Sequence, residues 1–119
     1  LFVCKYHMVP GHWQIVGTDR EGRRRYGRVE SIPISAAPKR VVNAAVRAAN
    51  AIGDGGGGGG LYGVDVKQIG NKAYVIEVND NPNIDWGYED KVLGTALYDR
   101  LMRVFYERIR KAREGKRRR

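Results

Sequence analysis

Cysteine is almost missing from this 119-residue chain: Cys4 stands alone. No disulfide can form within it, and a reducing, cytoplasmic setting is the expectation. Long apolar runs are missing too, so no segment reaches the length of a membrane span, and no signal peptide opens the chain. There is no initial methionine either. The opening "LFVCKYHM" starts inside an apparent strand, which reads as a piece of a longer protein. What is present is ordinary for a folded domain. Hydrophobic residues make up 42% of the chain, too many for a disordered one, and the length suits one domain with a modest core.

The net charge of +9 is unevenly spread. Residues 103–119 hold nine basic side chains against Glu107 and Glu114, which is +7 and leaves +2 for the other 102 residues. A basic end of this kind suits nucleic acid or an acidic protein. It suits equally a solvated helix end, where Lys and Arg complement the negative pole of the helix dipole. No aromatic residue interleaves the last residues, 114–119, to stack on bases, which favours the second reading.

Punctuation divides the rest. "LFVCKYHMV" and "HWQIVGT" read as strands on either side of Pro10–Gly11, "DREGRRRYG" as a polar turn, and "RVESIPIS" as a strand that Pro33 confines to an edge or an end. "APKRVVNAAVRAANAIG" has helical periodicity, with Val42, Ala45, Val46, Ala49 and Ile52 on one face, Pro38 in the first turn and Gly53 as a stop. "LYGVDVKQI" and "KAYVIEVN" flank Gly70–Asn71 as a hairpin. A second helix is predicted from about Glu89 to Arg113, with Leu93, Leu97, Leu101, Phe105 and Ile109 at steps of four. The predicted fold is α+β: an antiparallel sheet of about five strands, ordered β-β-β-α-β-β-α, with two helices packed on it. Residues 1–113 form the domain and 114–119 a basic tail.

Within it, "GDGGGGGGL" invites a phosphate-loop reading. Such a loop follows a strand and opens a helix, whereas this run follows a helix and precedes a strand, and no Lys-Ser/Thr pair follows it. Residues 54–60 are therefore read as a linker or insertion.

"AYVIEVNDNPNID" raises a sharper question, because Glu77 and Asn79 share a face where the strand ends. A three-residue hairpin loop (Gly70, Asn71, Lys72) sets Asp65 opposite Glu77 and Gly63 opposite Asn79, with opposed Cβ atoms about 4.5–5.5 Å apart. A two-residue loop pairs Asp65 with Ile76 and separates the carboxylates. The shared face thus requires the longer loop or an equivalent bulge. Facing carboxylates repel unless a positive charge lies between them, and Asp, Glu and Asn oxygens are hard ligands suited to Mg²⁺ or Mn²⁺ with nucleotide phosphates. The spacing fits equally a solvated hairpin face on which Asp65 pairs with Lys67 or Lys72.

"GVDVKQIGNKAYVIEVNDNPN" closely resembles the C-terminal hairpin of ATP-grasp ligases, and "LFVCKYHMVPGHWQIV" the strand pair before it. The nearest likeness is to the RimK-like, glutamate-ligase branch, and it extends over most of residues 1–113. It implies that Asp65, Glu77 and Asn79 hold Mg²⁺ (or Mn²⁺) and ATP, and that Pro82 sits where the family often has a proline. It implies an ATP-dependent carboxylate–amine ligase working through an acyl phosphate, with a carboxylate and an amino-acid or peptide amine as substrates. Lys5, on the first strand with His7, is where the resemblance expects a basic residue near the reaction centre; His7 is a second catalytic candidate. Asn81 and Asn83, with Asp85, would shape the substrate side of the loop, although such residues are more often turn formers. A zinc set of Cys4, His7 and His12 is disfavoured, because alternation puts Cys4 and His7 on opposite faces and no fourth ligand is evident.

Two departures from the family stand out. Removing five of the six glycines leaves "AIGDGLYGVD", the ordinary family join, so the run reads as inserted. The phosphate-covering loop, phosphate-binding lysines and adenine hinge belong in the family to an upstream subdomain, which is missing from these residues and is an implied partner. Without it the chain is expected to be inactive alone. The surface left open also makes a homo-oligomer or a non-catalytic folding module an alternative.

Overall fold

A computed structural model describes residues 2–11, 15–52 and 60–117. The fold is α+β, with antiparallel strands and two helices. Among the described residues, however, the strands number six and form three two-stranded sheets, where the sequence suggested one sheet of about five. They are β1 (Val3–His7), β2 (Val16–Thr18), β3 (Arg24–Tyr26), β4 (Arg28–Ile32), β5 (Gly63–Ile69) and β6 (Lys72–Asn79). The pairs are β1 with β4, β2 with β3, and β5 with β6.

The extra strand, β3, lies in the segment expected to be only a polar turn. Asp19 explains it. Its carboxylate accepts the backbone N–H groups of Glu21 (3.1 Å) and Arg23 (2.8 Å) and the Nε atoms of Arg23 (3.0 Å) and Arg25 (3.1 Å). Partial burial works to raise the Asp19 pKa, but these donors outweigh it and hold the carboxyl below its usual range. A tight turn closes, with Gly22 at φ +79°, and the arginines become strand residues.

Residues 24–32 then change partner at Gly27. Arg24–Tyr26 pair with β2, and Arg28–Ile32 pair with β1. Gly27 donates its N–H to Ile15 O (2.6 Å), and a Cβ there would overlap the His7 carbonyl oxygen. Only glycine lets the backbones approach this closely. Pro33 ends β4 as expected and caps a single 3₁₀ turn, Ile34–Ala36.

Helix α1 (Lys39–Ile52) begins where the Pro38 carbonyl accepts Val41 N (2.9 Å) and Val42 N (3.2 Å). It packs on the β5–β6 hairpin. Val42, Ala45, Val46 and Ala49 are half-buried there, as the periodicity predicts, while Ile52 is 56% exposed. Arg40 also donates from Nη1 to Asn71 Oδ1 at the hairpin turn. Gly53, the predicted stop, and all but the last of residues 54–60 lie outside the described residues, as does His12.

Helix α2 (Thr95–Arg117) starts later than Glu89 and continues through 114–117, which the sequence set apart as a tail. Residues 86–94 form turns instead, because Asp90 turns its carboxylate inward. Oδ1 accepts Gly87 N (2.6 Å) and Oδ2 accepts Tyr98 Oη (2.9 Å). Gly94 at φ +55° then precedes the helix. Leu97 is buried at 4% exposure, with Val9 and Ala37 as the other buried apolar residues among the described ones. The core is thin. The radius of gyration is 17.5 Å and the extents are 66 × 30 × 27 Å, against about 13–14 Å expected for a compact chain of this length. No helix among the described residues is long and apolar enough to cross a membrane.

Candidate functional site

The hairpin reaches the expected juxtaposition by the less direct route. Ile69 pairs with Lys72, so the turn is the two residues Gly70–Asn71, not the three-residue loop. Val66 still follows that register and pairs with Val75. Between Val66 and Asp65 the ladder slips by one: Asp65 faces Glu77, Val64 faces Val78, and Gly63 faces Asn79. Ile76 is the extra residue of a β-bulge, which flips the register that a two-residue turn alone would impose. It is left 67% exposed.

Side-chain alternation separates two faces. Val64, Val66, Ala73 and Val78 are half-buried on the face that α1 covers. Asp65, Glu77 and Asn79 are exposed on the other. Among the described residues, neither Asp65 nor Glu77 makes a side-chain hydrogen bond or ion pair, so no pairing with Lys67 or Lys72 neutralises them. Asn79 Oδ1 accepts Asn81 N (2.8 Å), which fixes the carboxamide while leaving its oxygen a second lone pair. No group of three His, Cys, Asp or Glu side chains gathers among the described residues. The donor set here is two carboxylates and one carboxamide, a hard-oxygen combination of the kind Mg²⁺ takes alongside water and phosphate.

Pro82 packs against Gly63. A Cβ on Gly63 would lie 2.9 Å from Pro82 Cβ, so the glycine admits the loop that follows Asn79. Asn81 and Asn83 are exposed on either side of that proline. Further along, Asp85 N donates to Glu89 Oε2 (2.8 Å), and the Asp85 carbonyl accepts Tyr88 N (3.2 Å) and Glu89 N (3.3 Å).

The β1–β4 ribbon is tied to this loop through Ser31, whose hydroxyl donates to the Tyr88 carbonyl and lies 3.7 Å from Cys4 Sγ. Burial pushes the Cys4 thiol pKa up, opposed by the Ser31 hydrogen bond and assisted by the Glu89 carboxylate. Tyr6 is raised likewise, first by burial and then by the negative charges of Cys4, Glu89, Asp65 and Asp85. The Cys4–Tyr6 face of β1 is thus the one that senses the carboxylates of the hairpin and its following loop.

Lys5 and His7 alternate to the other face of β1. Lys5 pairs in register with Glu30, and His7 with Arg28. His7 Nε2 is 3.0 Å from Glu30 Oε2, and Arg28 Nη2 is 3.4 Å from the same oxygen. The bond from His7, with the Arg28 and Lys5 charges, holds Glu30 below the usual carboxylate range. The structure brings Asp65, Glu77 and Asn79 together at one end of the hairpin, and sets Lys5 and His7 around Glu30. Tyr6 and Glu89 escaped the reading of the sequence. A tyrosine between two candidates on an alternating strand gives no separate signal, and Glu89 stands in the sequence only as the start of the predicted second helix.

Comparison with known proteins finds no match to this chain among protein-family models, curated proteins or solved structures.

Proposed function

We propose that this chain is the C-terminal, metal- and ATP-binding part of an ATP-dependent carboxylate–amine ligase of the ATP-grasp type, nearest the RimK-like branch. One observation carries the reading: the bulge at Ile76 spends a strand irregularity to bring Asp65 opposite Glu77, with Asn79 one pair further on. Two unpaired carboxylates side by side carry a repulsion that a divalent cation removes. Asp65, Glu77 and Asn79 would hold Mg²⁺ or Mn²⁺, which supplies charge neutralisation for a transferring γ-phosphoryl group. The hairpin's part is positioning and electrostatics. Asn81 and Asn83 stand where the substrate side of the loop would be, and the nucleotide's adenine and phosphate-covering contacts would come from an upstream segment.

Lys5 and His7 are the proposed contacts for the acyl phosphate, on the face of β1 that they share with Glu30. With the face it shares with Glu30, Lys5 is better placed to steer a carboxylate than to reach Asp65. A second reading, a non-catalytic folding module, is favoured by the thin core and large open surface: 9787 Å² is accessible, against roughly 6,500 Å² for a compact monomer of this size.

Titration calorimetry of Mg²⁺, with and without ATP, into the chain and into an Asp65→Asn, Glu77→Gln variant separates the two. Binding by the parent that the variant loses, at least tenfold, supports the ligase half-site. Equal behaviour of both proteins refutes it and leaves the folding module.

A further inference from the structure

Helix α2 leaves an apolar seam uncovered. At 100° per residue, Tyr98, Met102, Phe105 and Ile109 fall within about 60° of one another, flanked by Tyr106, while Arg100, Arg103, Glu107, Arg110, Lys111 and Glu114 lie opposite. These five apolar side chains are 37–64% exposed. Their spacing of four, three and four is that of a helix-pairing seam. Leu97 and Leu101 occupy the neighbouring edge and take up the helix's contact with its own chain, being buried and half-buried. No other element packs extensively against α2 among the described residues.

We propose that this seam is an interface with a second copy of the chain, in which two α2 helices pair antiparallel about a two-fold axis at Phe105. Charge decides the direction. Residues 103–119 carry +7. A parallel pair would lay +7 on +7; an antiparallel pair about Phe105 lays residues 103–119 beside residues 91–107 of the other copy, where Lys91, Arg100 and Arg103 stand against Asp99 and Glu107, a net +1. With Phe105 meeting its own mate, Leu101 comes level with Ile109 and Tyr98 with Ala112. Asp99 and Arg113 lie on the same flank of the seam, and in an antiparallel two-fold pair like flanks meet. Asp99 of one copy therefore reaches Arg113 of the other. Neither makes an ion pair within the described residues of its own chain.

The area is sufficient. The five seam residues expose roughly 600 Å² per copy, so a pair that covers them fully removes about 1,200 Å² from water, the lower bound for a specific interface. The acidic partner that Arg113 meets, Asp99, is supplied by the same sequence. This interface is independent of the ligase reading.

Sedimentation velocity on the full chain tests it. The expected species has twice the chain mass, and Met102→Asp with Ile109→Asp gives the monomer with an unchanged far-UV circular dichroism spectrum. Asp99→Arg weakens association roughly tenfold, and adding Arg113→Asp in the same chain restores it. In a Cys4→Ser background, Phe105→Cys oxidises to a linked dimer, whereas Arg100→Cys, on the far face, does not. A monomer at all concentrations overturns the proposal, as does equal cross-linking at both positions. So does a monomer that instead sediments with phosphatidylglycerol vesicles through the same residues.

Discussion

Gly63 offers the sharpest test of how the hairpin and its loop are held. It stands opposite Asn79 at the end of β5, and a methyl group there would come 2.9 Å from Pro82 Cβ, about 1 Å inside a comfortable carbon–carbon contact. The obstacle is the ring of a proline, which cannot rotate aside as a flexible side chain would. Relief must come from the backbone of 80–83, so Gly63→Ala displaces the loop by about 0.5–1 Å. Overpacking of this kind costs roughly 1–3 kcal/mol, or about 4–8 °C of melting temperature per kcal/mol in a small domain. The same displacement pulls on the Asn79–Asn81 turn, whose hydrogen bond orients the carboxamide. Gly63→Ala is therefore expected to lower both the melting temperature and the Mg²⁺–ATP affinity. Thermal circular dichroism and calorimetry on the same samples read the two effects. Unchanged stability and unchanged binding would refute the claim that Gly63 is there to admit Pro82.

Two further outcomes follow from burial. Leu97→Ala removes the side chain that fastens α2 to its own chain at 4% exposure and is expected to cost about 2–4 kcal/mol by urea denaturation. Cys4 should alkylate with a pH midpoint above that of a free thiol, since burial raises its pKa, and Ser31→Ala should move the midpoint higher by removing the hydrogen bond that lowers it. Because the folded-state pKa is raised, this contribution to stability is complete below the unfolded thiol pKa. It is lost as the pH climbs through the folded value, so the melting temperature should fall on the alkaline side.

Several elements were legible in the residues because a short-range cause sufficed. The apolar repeat Val42, Ala45, Val46 and Ala49 defines α1 and its packing face, and alternation defines β5 and β6. That Asp65, Glu77 and Asn79 could share a face only with a longer loop or a bulge was a matter of counting along a pleated strand. Which device applies is not local. Gly70–Asn71 favours a two-residue turn, and the bulge then arises where Val64, Val66 and Val78 must meet α1 while Asp65 and Glu77 stay outside. Similarly, the arginine-rich segment looks like a turn until Asp19 draws Arg23 and Arg25 together, and the start of α2 is delayed by Asp90 bonding to Tyr98, eight residues away.

The sequence by itself thus determined the element types, the uneven charge and the alternation that gives each strand two faces, since these depend on neighbours a few residues apart. Tertiary structure alone decided that residues 24–32 switch partner at Gly27, that the sheets are three and small, that Tyr6 lies toward the carboxylates while Lys5 turns to Glu30, and that one seam of α2 remains open. Each of these depends on which backbones approach one another in space, and the chain's local preferences are silent about that.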